Sequence, residues 1–242
     1  MEIDRICGYD GDKVSYYQTV LDYVNGKNTL GAMQAILQQS PDDVEANYRL
    51  AKKYTSRWEL AKAQPYFSRI IELDPQDLHG YNEESRGYMA INTLNTLDDD
   101  QPLIDWLKQS TNKAHLERGY NSLIRFYRQK EMQDKLFAAY EQVVKRLPEN
   151  ADFMNDCAWY IYMQKIKDRY EQGIELARRA VQLEPQEAHI WDTLAWLEFE
   201  NGQIDQAVEH MKKAVELSPQ QKGYQENLKK LKQAKEEQLR SH

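Results

Sequence analysis

The chain has 242 residues, a formal net charge of −7, and 29% charged against 41% hydrophobic residues. Only 10 glycines and 7 prolines punctuate it, which favours helix over a turn-rich β fold. No apolar run approaches the ~18 residues of a membrane span, Cys7 and Cys157 are too far apart for a disulfide framework or a zinc site, and a pI near 5.4 argues against nucleic acid as a partner.

The chain opens on MEIDRICGY, which reads as a short strand ending at Gly8. Asp12 to Tyr23 then reads as a helix with Val14, Tyr17, Val20, Leu21 and Val24 on its apolar side. A lone strand leaves half of its backbone groups without partners. A partner strand is therefore expected, either upstream in a longer chain or in a second copy of this one, which makes a homodimer one expected assembly.

Beyond residue 27 the prolines act as a ruler. With Pro65 and Pro102 set aside, Pro41, Pro75, Pro148, Pro185 and Pro219 are separated by 34, 73, 37 and 34 residues. The 73 is about two periods, so one marker near residue 111 is missing. A repeat of this length means stacked supersecondary units. If Pro219 is position 32 of a 34-residue unit starting at Ala188, Trp191 falls at position 4, Leu194 at 7, Ala195 at 8, Gly202 at 15, Ala207 at 20, Met211 at 24 and Ala214 at 27. This segment closely resembles the tetratricopeptide repeat, with Glu198 where the pattern has Tyr. The resemblance implies an all-α fold, a right-handed superhelical solenoid of antiparallel helix pairs.

The expected units follow in order. A half unit over 28–41 supplies one helix, with Met33 and Ile36 at its core register. Repeat 44–77 places Leu50, Ala51, Tyr54, Ala63, Phe67 and Ile70 at positions 7, 8, 11, 20, 24 and 27, and Pro65 inside its second helix predicts a kink. A degenerate repeat spans 78–116, with Tyr81, Ser85 and Tyr88 on its first helix and Leu103, Trp106 and Leu107 on a short second one. Asp98-Asp99-Asp100 before Pro102 marks that helix start, and the run lacks the spacing of a calcium loop. Repeat 117–150 carries Tyr120, Leu123, Tyr127, Tyr140 and Val143 at core register, but Ile124 and Leu136 replace the usual small residues, which predicts wider helix spacing. Repeat 151–187 has Cys157, Ala158 and Ile161, about three extra residues in its turn, then Gly173, Ala177 and Ala180. Repeat 188–221 comes last, followed by a capping helix over 222–242 with Tyr224, Leu228, Leu231 and Leu239 on one side and lysines on the other.

The first residues are in turn similar to the last strand and C-terminal helix of a thioredoxin fold, which some bacterial proteins carry just before tetratricopeptide repeats. The resemblance covers residues 1–27 and no Cys-x-x-Cys. It implies a remnant of such a domain, or an accessory, client-positioning region whose redox site lies outside this chain. An ordinary N-terminal helix with a frayed tail is the alternative. No leader is visible, which gives a cytoplasmic location by default and a periplasmic or envelope one if the chain comes from a longer secreted protein.

No phosphate loop, H-E-x-x-H or G-x-S-x-G is present, and the five histidines are scattered. The expectation is a non-catalytic scaffold without cofactor or metal. In the resembling family the first helix of each pair lines the concave face. Carried over by register, this gives Tyr48, Arg49 and Lys52, then Arg86, then Arg118, Asn121, Arg125 and Arg128, then Asn155, Trp159 and Tyr162, and finally Asp192, Trp196 and Phe199. The N-terminal half of this face is basic and the C-terminal half aromatic and acidic. A protein or peptide partner is expected, acidic toward one end and apolar or basic toward the other. The carboxylate clamp of chaperone-binding members is not reproduced, because Tyr48 stands at position 5, Lys52 at 9 and Asp156 at 6.

Overall fold

The computed structural model of the protein describes residues 26–27 and 29–240. The expected strand and helix of the first 24 residues, Cys7 and the thioredoxin-like resemblance lie outside them. The described residues are all-α: twelve helices and one 3-10 turn, with no strand among them. They divide into two compact units at Phe126 and Tyr127.

The first unit holds α1 (Leu30–Gln39), α2 (Val44–Ser56), α3 (Leu60–Leu73), α4 (Asn82–Leu97), α5 (Gln101–Gln109) and most of α6 (Lys113–Gln129). The second holds α7 (Gln133–Arg146), α8 (Ala151–Met163), α9 (Tyr170–Leu183) after the 3-10 turn Lys167–Arg169, α10 (Ala188–Glu200), α11 (Ile204–Leu217) and α12 (Lys222–Arg240).

Two recurrent turns build these pairs. Where a helix meets a ruler proline, the residue before it ends the helix by donating its N–H four residues back: Ser40 to Ile36, Asp74 to Ile70, Leu147 to Val143, Glu184 to Ala180 and Ser218 to Ala214, at 2.7–3.0 Å. Proline disfavours the helical region for the preceding residue, and the chain turns there at each of these five. Within a pair the first helix closes on a left-handed residue: Trp58, Glu131, Lys165 or Gly202. The next N–H returns five residues, from Glu59 to Tyr54, Met132 to Tyr127, Ile166 to Ile161 and Gln203 to Glu198. Glycine, the usual occupant, appears once. The other three sites hold a strained conformation at about 1–2 kcal/mol each.

Small residues then let the paired helices close. Ala51 of α2 and Ala63 of α3 are buried in a cluster with Leu50, Phe67 and Ile70. Ala195 and Ala207 do the same between α10 and α11, with Met211 and Leu231. Of the two residues expected to cover α1, Met33 is buried and Ile36 is exposed. Ile124 and Leu136 are both buried. Helix α3 runs unbroken through Pro65.

The stripe expected on α12 is shorter than its sequence suggests. Leu231 is buried and Tyr224 and Leu228 pack beside it, but Leu239 is exposed. Lys235 already pairs with Asp205 in the first turn of α11 at 2.6 Å, so Leu239, one turn on, has passed the end of its neighbour.

The degenerate repeat has its own solution. A Cβ on Gly87 of α4 would stand 2.4 Å from the Trp106 ring, and one on Gly119 of α6 would stand 2.6 Å from Leu107. Two glycines thus make room for the bulky stripe of the short helix α5. The Trp106 indole donates to the Glu83 carbonyl at 2.8 Å, which fixes the ring in that gap.

Candidate functional site

In the first unit the cationic residues expected along the first helices converge on one acid. Glu84 of α4 accepts from Lys52 Nζ at 2.9 Å and Arg118 Nη1 at 3.0 Å, and from the Tyr48 hydroxyl. Lys52 also donates to the Tyr88 hydroxyl at 2.8 Å, and the Arg118 guanidinium lies 4.8 Å from the Tyr88 ring centroid. Glu84 is only 14% exposed. Burial opposes its charge, but the bonds from Tyr48, Lys52 and Arg118 outweigh that and hold its carboxyl down to about 2. Burial and then Glu84 push the Tyr48 hydroxyl far up.

Sequence reasoning missed Glu84. Its signal was a charged residue at position 7, where the other repeats place Leu50, Leu123, Cys157 and Leu194. Arg49 pairs with Glu45 one helical turn away at 2.5 Å, and Arg86 Nε donates to Asn82 at 2.7 Å. Asn121 and Arg125 are exposed, and Arg125 has no ion pair among the described residues. The basic half is therefore largely an internal network, with Arg86 and Arg125 left to face solvent.

The depressed Glu84 carboxyl fixes a pH dependence. Its folded value lies below the ordinary 4.5, so its contribution is complete above that value and is lost as pH falls from there toward 2. Glu84→Gln should remove about 2–3 kcal/mol at neutral pH and little at pH near 2. Urea unfolding of both proteins across this range checks it; a constant gap at every pH would refute it.

In the second unit the expected residues separate into two groups. Arg128 pairs with Asp156 at 2.8 Å, and Tyr140 donates to the same carboxylate at 2.8 Å while also bonding Arg128. Arg128, Trp159, Tyr160 and Met163 line an open cavity of about 660 Å³. Burial pushes the nearby Cys157 thiol up to about 12, so it is no nucleophile at neutral pH.

The other group is aromatic. Trp159 and Tyr162 of α8 and Trp196 and Phe199 of α10 form a continuous strip, with successive ring centroids 5.2, 5.7 and 5.9 Å apart. All four stand at positions 9 and 12 of adjacent repeats. The helical period sets those positions on one face and stacking sets the two helices side by side. Trp159 is 37% exposed. Asp192 lies at the edge of the strip, where burial raises its carboxyl although Asn227 of α12 donates to it at 3.0 Å. Asn155, one repeat earlier at the same register, has a buried Oδ1 without a hydrogen-bond partner. Among the described residues no group of three or more His, Cys, Asp or Glu could hold a metal ion, and no helix is long and apolar enough to cross a membrane.

Antiparallel helix pairs, repeated turn for turn, define a helical-repeat protein whose first helices carry the surface side chains of interest. Residues 188–221 match the tetratricopeptide repeat family. Among solved structures the chain is similar to YrrB, described as a TPR protein with an unusual peptide-binding site, at 11% identity and a TM-score of 0.57, over 83% of this chain and 100% of that one. It is also similar to MamA from AMB-1, at 16% identity and a TM-score of 0.52, over 73% of this chain and 92% of that one. At such identities the likeness is one of fold. A comparison with curated proteins returns no match.

Proposed function

We propose that this protein is a non-catalytic interaction module that holds a peptide or protein segment along the exposed faces of its first helices. The strip Trp159–Tyr162–Trp196–Phe199 carries the reading. Its successive ring contacts leave an aromatic surface with a polar edge, the composition that anchors interfaces. Peptide binding in YrrB, on the same fold, supports it. In the first unit Arg86, Asn121 and Arg125 form a separate contact surface for acidic groups, because Lys52 and Arg118 are already engaged by Glu84.

The test is a peptide array read with the wild type and with a Trp159→Ala/Trp196→Ala double variant. The variant should lose about 30-fold or more in affinity, as for two central aromatic anchors, with unchanged helical circular dichroism. Equal binding by both proteins would remove the strip from the interaction.

A further inference from the structure

Around the aromatic strip the charge is one-sided. Elsewhere the partly or fully buried acids are matched: Glu84 by Lys52 and Arg118, Asp156 by Arg128, Glu198 by Arg178. At the strip no lysine or arginine among the described residues pairs with the two nearby acids. Glu200, one residue beyond Phe199, is exposed and has no ion pair among the described residues. Asp192 is held by the neutral amide of Asn227 and the Trp196 indole, with His189 the one basic side chain acting on it. Both carboxylates lie near Tyr162, the second ring of the strip. Burial first, then Glu200 and Asp192, raise its hydroxyl above the usual tyrosine range, and no basic side chain offsets them.

Ring faces beside carboxylates are complementary to one kind of side chain. A guanidinium stacks flat on an aromatic face and directs N–H donors outward in its plane. An ammonium meets the same charges with less surface contact. An acidic segment would be repelled, and a purely apolar one would cover Glu200 without satisfying it.

We infer that the segment bound on the α8–α10 face is basic, with an arginine side chain seated on the Trp159–Tyr162–Trp196 rings and bonded to Glu200. This rests on the reading of the strip as a contact surface and assigns the chemistry of its partner.

The experiment compares three short fluorescein-labelled peptides of one design by anisotropy at physiological salt. They carry arginine, its neutral isostere citrulline, or glutamate at alternate positions. The arginine peptide should bind about tenfold or more tighter than the citrulline peptide. Glu200→Gln should erase most of that preference, and Trp159→Ala should weaken the arginine peptide by a similar factor. Equal binding of the citrulline peptide overturns the basic assignment while leaving the strip a binding surface. An arginine preference untouched by Glu200→Gln and Trp159→Ala is diffuse attraction to an acidic chain, and also overturns it. Binding of none of the three removes the strip itself.

Discussion

Trp106→Ala is expected to lower the stability of the first unit by about 3–5 kcal/mol, the range for removing a large buried aromatic. Trp106 is 7% exposed and its indole N–H is bonded to the Glu83 carbonyl at 2.8 Å. Truncation leaves a void and an unsatisfied carbonyl together. No neighbour can fill that void cheaply, because the side facing α4 is the bare backbone at Gly87. The complementary variant is Gly87→Ala. Its methyl would stand 2.4 Å from the ring, so α4 or α5 must move, at about 1–3 kcal/mol. The double variant Gly87→Ala/Trp106→Ala should cost less than the sum, since each change relieves the other's problem. Guanidinium unfolding of the four proteins closes the cycle. Strict additivity would mean that Trp106 is not seated against Gly87.

That pair also marks where the sequence stops being readable. The stripe Leu103, Trp106 and Leu107 is visible as an amphipathic pattern, and all three residues are buried. The ruler prolines locate turns because proline acts locally, on the residue before it. Gly87 and Gly119 sit inside long helices, where a sequence pattern counts them only as weak points. Their role lies in contacts with residues of another helix 12 or more positions away, which no local period records. Glu84 and Glu198 are a second case. Each breaks the apolar register of its repeat, so each is visible as an exception. What answers the exception, Lys52 and Arg118 for one and Arg178 and His210 for the other, comes from other helices. The aromatic strip was legible because its four residues occupy the same two register positions in adjacent repeats. Repetition converts a sequence spacing of 37 residues, from Trp159 to Trp196, into a neighbour relation.

Glu198 supports the second large effect, and the direction depends on which partner is removed. Its side chain is fully buried on α10, with Arg178 Nη2 of α9 at 2.8 Å from one oxygen and His210 Nδ1 of α11 at 2.6 Å from the other. The Trp191 ring covers His210, with centroids 5.3 Å apart. The two partners are not buried to the same degree: Arg178 is 49% exposed and His210 28%. Removing both partners by Arg178→Ala/His210→Ala strands a carboxylate that water does not reach, and about 3–5 kcal/mol of stability should be lost at neutral pH. Removing the acid by Glu198→Leu strands only groups that can turn to solvent, and restores the apolar register of the repeat. That change should lie within about 1 kcal/mol of neutral or be stabilising. Glu198→Leu added to the Arg178→Ala/His210→Ala protein should therefore recover most of its lost stability, although it removes one more native side chain. Thermal unfolding of the wild type and these three variants decides the matter. A triple variant no more stable than the double would show that Arg178 and His210 matter through their packing, and that the buried charge is not what they compensate.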